Sequence, residues 1–598
     1  MERVRSRRFY RLGAAVTGVL FAAFAVRLAD WQLVHGEEYR AAAARASQIT
    51  VTTKAARGEM LDRNGSGLAV NQTHWRVTLD KLRLDTESLD EVLARLSEVL
   101  SKLGVQERRT LAAIHKDMEE KGFSYDTPYV FAEDIPHSAV GAVCESVQGV
   151  GGVSVEPYLV RTAAQPMLAP HLLGMLGAMN EEEYEALSER GYALNEQIGK
   201  FGVEKAFESV LRGTDGVKIV SRGATSDAAQ TVEPRDGETV WLTLDSRLQK
   251  CAADSLQKNI RAAKNAGSGE CESGAVVMLD TRDFSILAAA SYPTFDLNRY
   301  GSDGDYYVSL AENKTAPLFD RAFTGVFAWG SAFKPCVALA ALERGIITPK
   351  TQFVCTRYYD YYPSSVVACM HYHGAENLRS AMAHSCNWYF AEAGRRLGIR
   401  AMDDFAVRLG LGEPTGVEIG EADGVLAGRD SAGWQEGNTV QAAIGQSDNA
   451  FTPLQMATFA ATLANNGQRM RVHLISKITD YAREEVVSRF DTPELLADCG
   501  VSEDNLNEVR EAMLAVTQDP GGTAYGVFGD FPVAVAGKTG TAENAGADHG
   551  AFICFAPYDK PEVAVAAILE HGENSVFAQQ VARDLLAAYF AEQKRSAH

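Results

Sequence analysis

The sequence predicts an α/β (α+β) protein in which an antiparallel sheet flanked by helices follows an elongated α+β part and one transmembrane helix. Three observations carry this. A charge-free run stands near the N-terminus, short strand and helix patterns alternate through the first third, and strand hairpins beyond residue 235 bracket a long Ala-rich helical stretch. The chain has 598 residues, 46% hydrophobic and 23% charged, which is the balance of a folded protein too long for a single core. Acidic residues outnumber basic ones 78 to 58, a net charge of −20. Nucleic-acid binding is therefore not expected, because it needs clustered Lys and Arg. Nine cysteines are too few for a disulfide scaffold, and an odd number cannot all pair within the chain.

Residues 1–11 carry Arg3, Arg5, Arg7, Arg8 and Arg11 against Glu2 alone, and read as a cytoplasmic tail. The uncharged run Leu12 to Val26 falls short of the ~20 residues a spanning helix needs. Phe9, Tyr10 and Leu28 lengthen it, Arg27 can snorkel and Trp31 suits the interface, so the anchor is placed at 12–34. A cleaved signal peptide is the alternative, given Ala23-Phe24-Ala25. The continuing amphipathic pattern Leu28–Tyr39 favours the anchor. Everything after it is expected outside the membrane of a single-pass protein.

Residues 48–82 alternate as strands around the turn-rich patch Arg57 to Gly65, and Asp85–Lys121 is charged and periodic, hence helical. Residues 122–235 mix short elements, and the polar stretch Ser221–Gly237 reads as a linker between a first domain at 35–235 and a second at 236–598. In the second, Val240–Leu244 is a strand, Ser246–Ala266 a helix, and Gly274–Tyr292 a hairpin turning near Arg282-Asp283. Ala-rich helices run to about residue 465, and Val533–Ala542 and Ala551–Glu570 return as strands.

Three short motifs in the second domain carry chemistry. Ser331 opens a helix, with Lys334 one turn on; serine needs a base within reach, and i, i+3 residues share a helix face. Free N–H groups at that helix start favour a developing oxyanion. Ser255-Leu256-Gln257-Lys258 repeats the spacing mid-helix and reads as a solvated face. The strand Val533–Ala542 carries Lys538-Thr539-Gly540-Thr541, where a cation and hydroxyls among small residues can approach a carboxylate closely, and where a second cation would lower the pKa of Lys334. A Ser-x-Asn element has two candidates, Ser385-Cys386-Asn387 and Ser447-Asp448-Asn449, and the first is preferred.

Ser-x-x-Lys, Ser-x-Asn and Lys-Thr-Gly in this order resemble the penicillin-binding proteins and serine β-lactamases. Arg57-Gly58 to Asn64-Gly65, Leu68 to Asn71, His171 to Gly174, Gly199 to Lys205 and Leu211 to Gly213 resemble pedestal motifs of the class B, monofunctional members. Gly274 to Asp280, Ala290 to Asp296, Gly522 to Ala524 and Phe555 to Pro557 also fit, and Gly445 to Gln455 matches a separate family motif, which demotes Ser447. The resemblance implies a transpeptidase domain on a pedestal (dimerisation-type) domain, and a peptidoglycan D,D-transpeptidase inhibited by β-lactams. Ser331 would be the nucleophile, Lys334 its base, Ser385 a proton relay and Asn387 a donor-peptide contact. Lys538, Thr539, Gly540 and Thr541 would form the carboxylate site, and the N–H groups of Ser331 and Thr541 the oxyanion hole. A multi-pass SEDS-type glycosyltransferase is the implied membrane partner, beside the stem peptides themselves. A D,D-carboxypeptidase and a non-catalytic β-lactam-binding scaffold are the alternatives. Two departures stand out: Trp329 where relatives carry proline, and Ala551 to Cys554 where a Trp-Phe pair is common.

No cofactor is required for such chemistry, yet Cys355, Cys369, His373 and Cys386 form a Cys₃His set that suits a structural zinc, with His371 as alternate ligand. A Cys355–Cys369 disulfide and free thiols are the other readings.

Overall fold

The computed structural model describes residues 2–35, 37, 39, 48–81, 83–84, 89–124, 128–221, 228–428, 431, 433–490, 492–544 and 546–596. They fall into two compact bodies. The smaller comprises Met1–Ala56, Thr73–Val160 and Gly213–Asp236; the larger comprises Arg57–Gln72, Arg161–Arg212 and Gly237–His598.

In the smaller body the N-terminal helix Glu2–Ala29 runs into a π-helical turn, Asp30–Val34. Its Arg11–Val34 stretch is long and apolar enough to cross a membrane, and none of it is buried against protein. Helical backbone continues at Glu37 and Tyr39, while positions 36 and 38 of the predicted amphipathic run lie outside the described residues. The helix expected over 85–121 is two helices, Leu89–Lys102 and Leu111–Glu120; positions 85–88 lie outside the described residues. Gly104, at φ +69°, ends the first, and Thr110 caps the second by accepting the Ala113 N–H. Both lay Leu93, Leu96, Leu100 and Ile114 into a core shared with Val143 and Tyr129. The stretch expected as a linker holds a strand, Ala228–Val232, antiparallel to Gly216–Ser221, which pairs in turn with Gln48–Thr53. Its alternating residues serve a ladder whose backbone donors need partners. Residues 222–227 lie outside the description.

The larger body is built on a five-stranded antiparallel sheet. Its strands are β1 (Gly274–Asp280), β2 (Ile286–Tyr292), β3 (Ala536–Ala542), β4 (His549–Ala556) and β5 (Val563–Leu569), in the spatial order β2-β1-β5-β4-β3. The predicted hairpin and the returning strands are thus one sheet. Every residue of β1, β4 and β5 is buried, as expected when helices cover both faces. Of the helices α1 (Ser246–Asn265), α2 (Lys334–Glu343), α3 (Asn387–Leu397), α4 (Pro453–Ala464), α5 (Glu503–Gln518) and α6 (Val576–Ser596), α1, α4, α5 and α6 pack against this sheet, while α2 and α3 pack against one another. Helix α4 is wholly buried, its Thr458 and Thr462 hydroxyls satisfied by the Leu454 and Thr458 carbonyls. Pro453 at its first turn and the Thr452/Gln455 capping box fix its start. The strand expected at Val240–Leu244 forms as Thr239–Leu242, but pairs with Met60–Leu61 and Ile475–Thr479 in a separate sheet.

Two further features of this body stand out. Arg57 reaches Glu204 (2.6 Å) and Glu208 (2.7 Å), and Arg161 also reaches Glu204 (2.8 Å). This buried network ties the Arg57-Gly58 turn to the helix Gly202–Ala206. Second, the region between α2 and α3 is not all helix. Residues 353–376 form a ribbon of short antiparallel strands, Phe353–Cys355 with Gly374–Glu376 and Tyr358–Tyr359 with Val367–Ala368.

Candidate active site

Ser331 lies in a 3₁₀ turn, Gly330–Phe333, that leads directly into α2. Gly330 stands at φ +49°, and a Cβ on it would lie 2.2 Å from the Thr541 carbonyl oxygen of β3. On the other side, a Cβ on Gly445 would lie 1.9 Å from the Gly330 carbonyl oxygen. The Ser331 turn is therefore wedged between the edge strand β3 and the Gly445 segment, where only glycine backbone fits. Trp329, the departure from the proline pattern, is buried and donates its indole N–H to the Phe451 carbonyl (2.9 Å). A buried ring with a satisfied donor thus anchors the chain just before the turn.

Lys334 and Lys538 are both fully buried. Lys334 Nζ donates to the Ser385 carbonyl (2.8 Å) and Asn387 Oδ1 (2.6 Å), and lies 3.2 Å from Ser385 Oγ. Lys538 Nζ donates to the same Ser385 Oγ (2.9 Å) and to the Thr539 carbonyl (3.0 Å). One hydroxyl therefore bridges two lysines. Burial pushes Lys334 down to about 7, since no carboxylate offsets the lost hydration. Lys538 is pushed down by burial and then by the charge of Lys334. Repulsion between neighbouring cations is mutual, so the expected effect of Lys538 on Lys334 acts in the same direction as burial.

Ser385 holds its place by an uncommon backbone. It sits at φ +55°, just past the helix Leu378–Ala383. The Cys386 N–H bonds to the Ala381 carbonyl (2.8 Å) and the Ser385 N–H to the Met382 carbonyl (3.2 Å), the pattern of a Schellman turn. Asn387 then opens α3 and donates Nδ2 to the Ala368 carbonyl (2.8 Å). Thr539 and Gly540 are buried and Thr541 is exposed on β3, the edge strand against which the Trp329-Gly330 backbone packs.

Hydrogen bonds bring Lys334, Ser385, Asn387 and Lys538 together, the Ser331 turn runs directly into α2 and packs on β3, and both decoys lie elsewhere. Ser255 is buried, not on a solvated face, and shares Asp584 with Lys258 (2.8 and 3.0 Å) in a purely structural contact. Asn449 of the rejected Ser-x-Asn is buried, bonding the Ala427 N–H and the Ala442 carbonyl. Two contributors were missed. Thr523 places Oγ1 2.9 Å from Thr539 Oγ1, its only sequence signal being the Gly522-Thr523-Ala524 match. Glu376, buried, holds His384 Nδ1 at 2.8 Å, directly before Ser385; an acid and a histidine eight residues apart carry no signal in sequence.

Cys355, Cys369, His373 and Cys386 converge, their donor atoms all within 4.8 Å of one another. The separations are 3.7 Å for Cys355–Cys369, 3.9 Å for Cys369–Cys386 and 3.5 Å from Cys355 Sγ to His373 Nδ1. The Cys355–Cys369 distance is that of two unbonded sulfurs, and His371 is exposed and outside the group.

Residues 274–587 match the family model of the penicillin-binding protein transpeptidase domain, and residues 52–242 that of the penicillin-binding protein dimerisation domain. The chain is 29% identical to the peptidoglycan D,D-transpeptidase MrdA of Acinetobacter baumannii, over 99% of this chain and 88% of that protein. Among solved structures it resembles a component of a peptidoglycan synthase complex that coordinates polymerization and crosslinking, with a TM-score of 0.73 and 28% identity over 98% of each chain. It also shares the fold of the penicillin-binding protein PBP2 of Helicobacter pylori, solved in complex with MreC, with a TM-score of 0.77 and 23% identity over 91% of this chain and 99% of that one.

Proposed function

The chain belongs to the penicillin-binding protein transpeptidase family, and from that premise we propose that it is a peptidoglycan D,D-transpeptidase whose nucleophile is Ser331. The observation that supports this most is the single Ser385 hydroxyl shared by two buried lysines beside the Ser331 turn. Ser331 Oγ attacks the penultimate D-Ala carbonyl of a stem peptide and gives its proton to neutral Lys334. The N–H groups of Ser331 and Thr541 receive the oxyanion. The intermediate collapses as the terminal D-Ala amine leaves, protonated through Ser385 from the lysine. An amine of a neighbouring stem then attacks the acyl-enzyme, and Ser331 recovers its proton by the reverse relay. Lys538, Thr539, Gly540 and Thr541 hold the donor carboxylate, which supplies the negative charge Lys538 lacks in the free enzyme, and Asn387 holds the donor backbone.

The anchor at 12–34 places residues 1–11 in the cytoplasm and the pedestal (35–235) and transpeptidase (236–598) domains outside. A SEDS-type glycosyltransferase in the membrane supplies the polymer to be cross-linked. The Cys₃His group holds a structural zinc that braces the loop bearing Ser385 and Asn387. A tetrahedron with bonds of ~2.3 Å to sulfur and ~2.0 Å to nitrogen has edges of ~3.8 and ~3.5 Å, close to the separations seen here.

The test is the intact mass of the full chain in detergent after exposure to a penicillin, beside Ser331→Ala. One stable adduct mapped to Ser331 and missing from the variant is expected. An unmodified protein at high drug concentration would favour the scaffold reading.

A further inference from the structure

The ribbon at 353–376 carries exposed tyrosines that the chemistry above does not use. In the strand pair Tyr358–Tyr359 with Val367–Ala368, Tyr359 and Val367 point inward while Tyr358 and Ala368 face solvent. Tyr358 (52% exposed), Tyr361 (58%), Met370 (85%) and Tyr372 (67%) stand on this ribbon. Holding such side chains in water has a cost, and a concentration of them marks a contact surface. The ribbon is also firmly seated. Tyr359 donates its hydroxyl to buried Glu392 (2.6 Å), the Trp388 indole N–H reaches Thr356 Oγ1 (3.1 Å), and the Trp388 N–H reaches Cys369 Sγ (3.3 Å).

We propose that this face is a glycan-binding lip, on which the sugar strand carrying the stem peptides lies while a peptide occupies the Ser331 site. The inference rests on the D,D-transpeptidase reading. Two observations select this occupant. The first is continuity: Ala368, opposite Tyr358, accepts a hydrogen bond from Asn387, which itself accepts one from Lys334. A stem of about five residues spans at most ~17 Å when extended, so a donor peptide at Ser331 keeps its sugars close to the active site. The second is chemistry. A pyranose offers an apolar face of C–H groups rimmed by hydroxyls, which matches a tyrosine ring with its flat face and polar tip. Arg357 lies over the Tyr358 ring (5.3 Å), placing a cation where a stem-peptide carboxylate can meet it.

The test uses the full chain in detergent with two probes, a penicillin and chitohexaose, the latter a sugar chain without peptide. Tyr358→Ala/Tyr372→Ala is expected to weaken chitohexaose binding at least tenfold while Ser331 is acylated at the wild-type rate, and Tyr358→Trp/Tyr372→Trp to retain binding. Unchanged acylation also shows that the variants are folded. Equal chitohexaose binding by wild type and the alanine variant overturns the proposal, as does wild type that binds no chitohexaose. It is equally overturned if the alanine variant keeps sugar binding but loses a co-purifying membrane protein, which would make the face a protein interface. Wild type that penicillin does not acylate fails the transpeptidase reading instead, a result separable from the sugar-binding one.

Discussion

Lys334 shows how far a motif can be read and where it stops. The Ser-x-x-Lys spacing joins Lys334 to the Ser331 turn, because helix geometry fixes that neighbourhood. It could not show that the amine's hydrogen bonds go to Ser385 and Asn387, more than fifty residues away in sequence. With burial holding Lys334 near 7, its neutral, basic form dominates only above that pH. The second-order rate of Ser331 acylation by a penicillin is therefore expected to rise about tenfold per pH unit below the midpoint and to level off above it. A rate that is flat or falling between pH 6 and 8 would remove Lys334 as the base. Ser385 carries a second residue-scale consequence. Its left-handed backbone costs a non-glycine residue roughly 1 kcal/mol, and nothing in the letters Ser-Cys-Asn announces it. Ser385→Ala and Ser385→Gly both lose the shared hydroxyl, so acylation falls by about 10²-fold or more in each. Only the glycine variant also loses the strain. It should be more stable than the alanine variant by about 1 kcal/mol in chemical denaturation, and equal stability would show that the turn is unstrained.

The elements most legible in the sequence were the long periodic ones. Helix α1 and the β1–β2 hairpin formed where expected, because their apolar periods are unbroken over many residues. Short elements were not legible. The ribbon between α2 and α3 falls in a stretch read as helical, yet its strands are two or three residues long and exist through cross-strand pairing. The same holds for Ala228–Val232, where a polar composition masked a strand. The ribbon is also where a metal would act. Cys386 stands between Ser385 and Asn387, so a zinc joining it to Cys355, Cys369 and His373 would lock the ribbon to the Ser385 segment. Purified full chain should hold one zinc per molecule by elemental analysis. Its removal by a chelator should lower the unfolding temperature and slow penicillin acylation about tenfold, the scale on which supporting shells act. Absence of stoichiometric metal, or a metal-free protein with unaltered unfolding and acylation, would return these residues to free thiols.

At the scale of the molecule, the family follows from motifs spread over nearly the whole chain, whereas the expected side of the membrane rests on charge alone. The arginines before residue 12 favour a cytoplasmic N-terminus, since positive residues flanking a span stay inside. The cysteines allow a direct test. Cys144, on the helix His137–Ser146 of the smaller body, is exposed, Cys251 is partly covered and the other seven are buried. A membrane-impermeant maleimide added to intact cells, with the outer barrier opened if there is one, should therefore label Cys144 if the body lies outside. The label should vanish in Cys144→Ser. A cysteine introduced into the tail by Ser6→Cys in that background should react only after the membrane is permeabilised. Labelling of the tail in intact cells, with Cys144 protected until lysis, would invert the topology. It would also put the Ser331 site in the cytoplasm, on the wrong side of the membrane for cross-linking a wall.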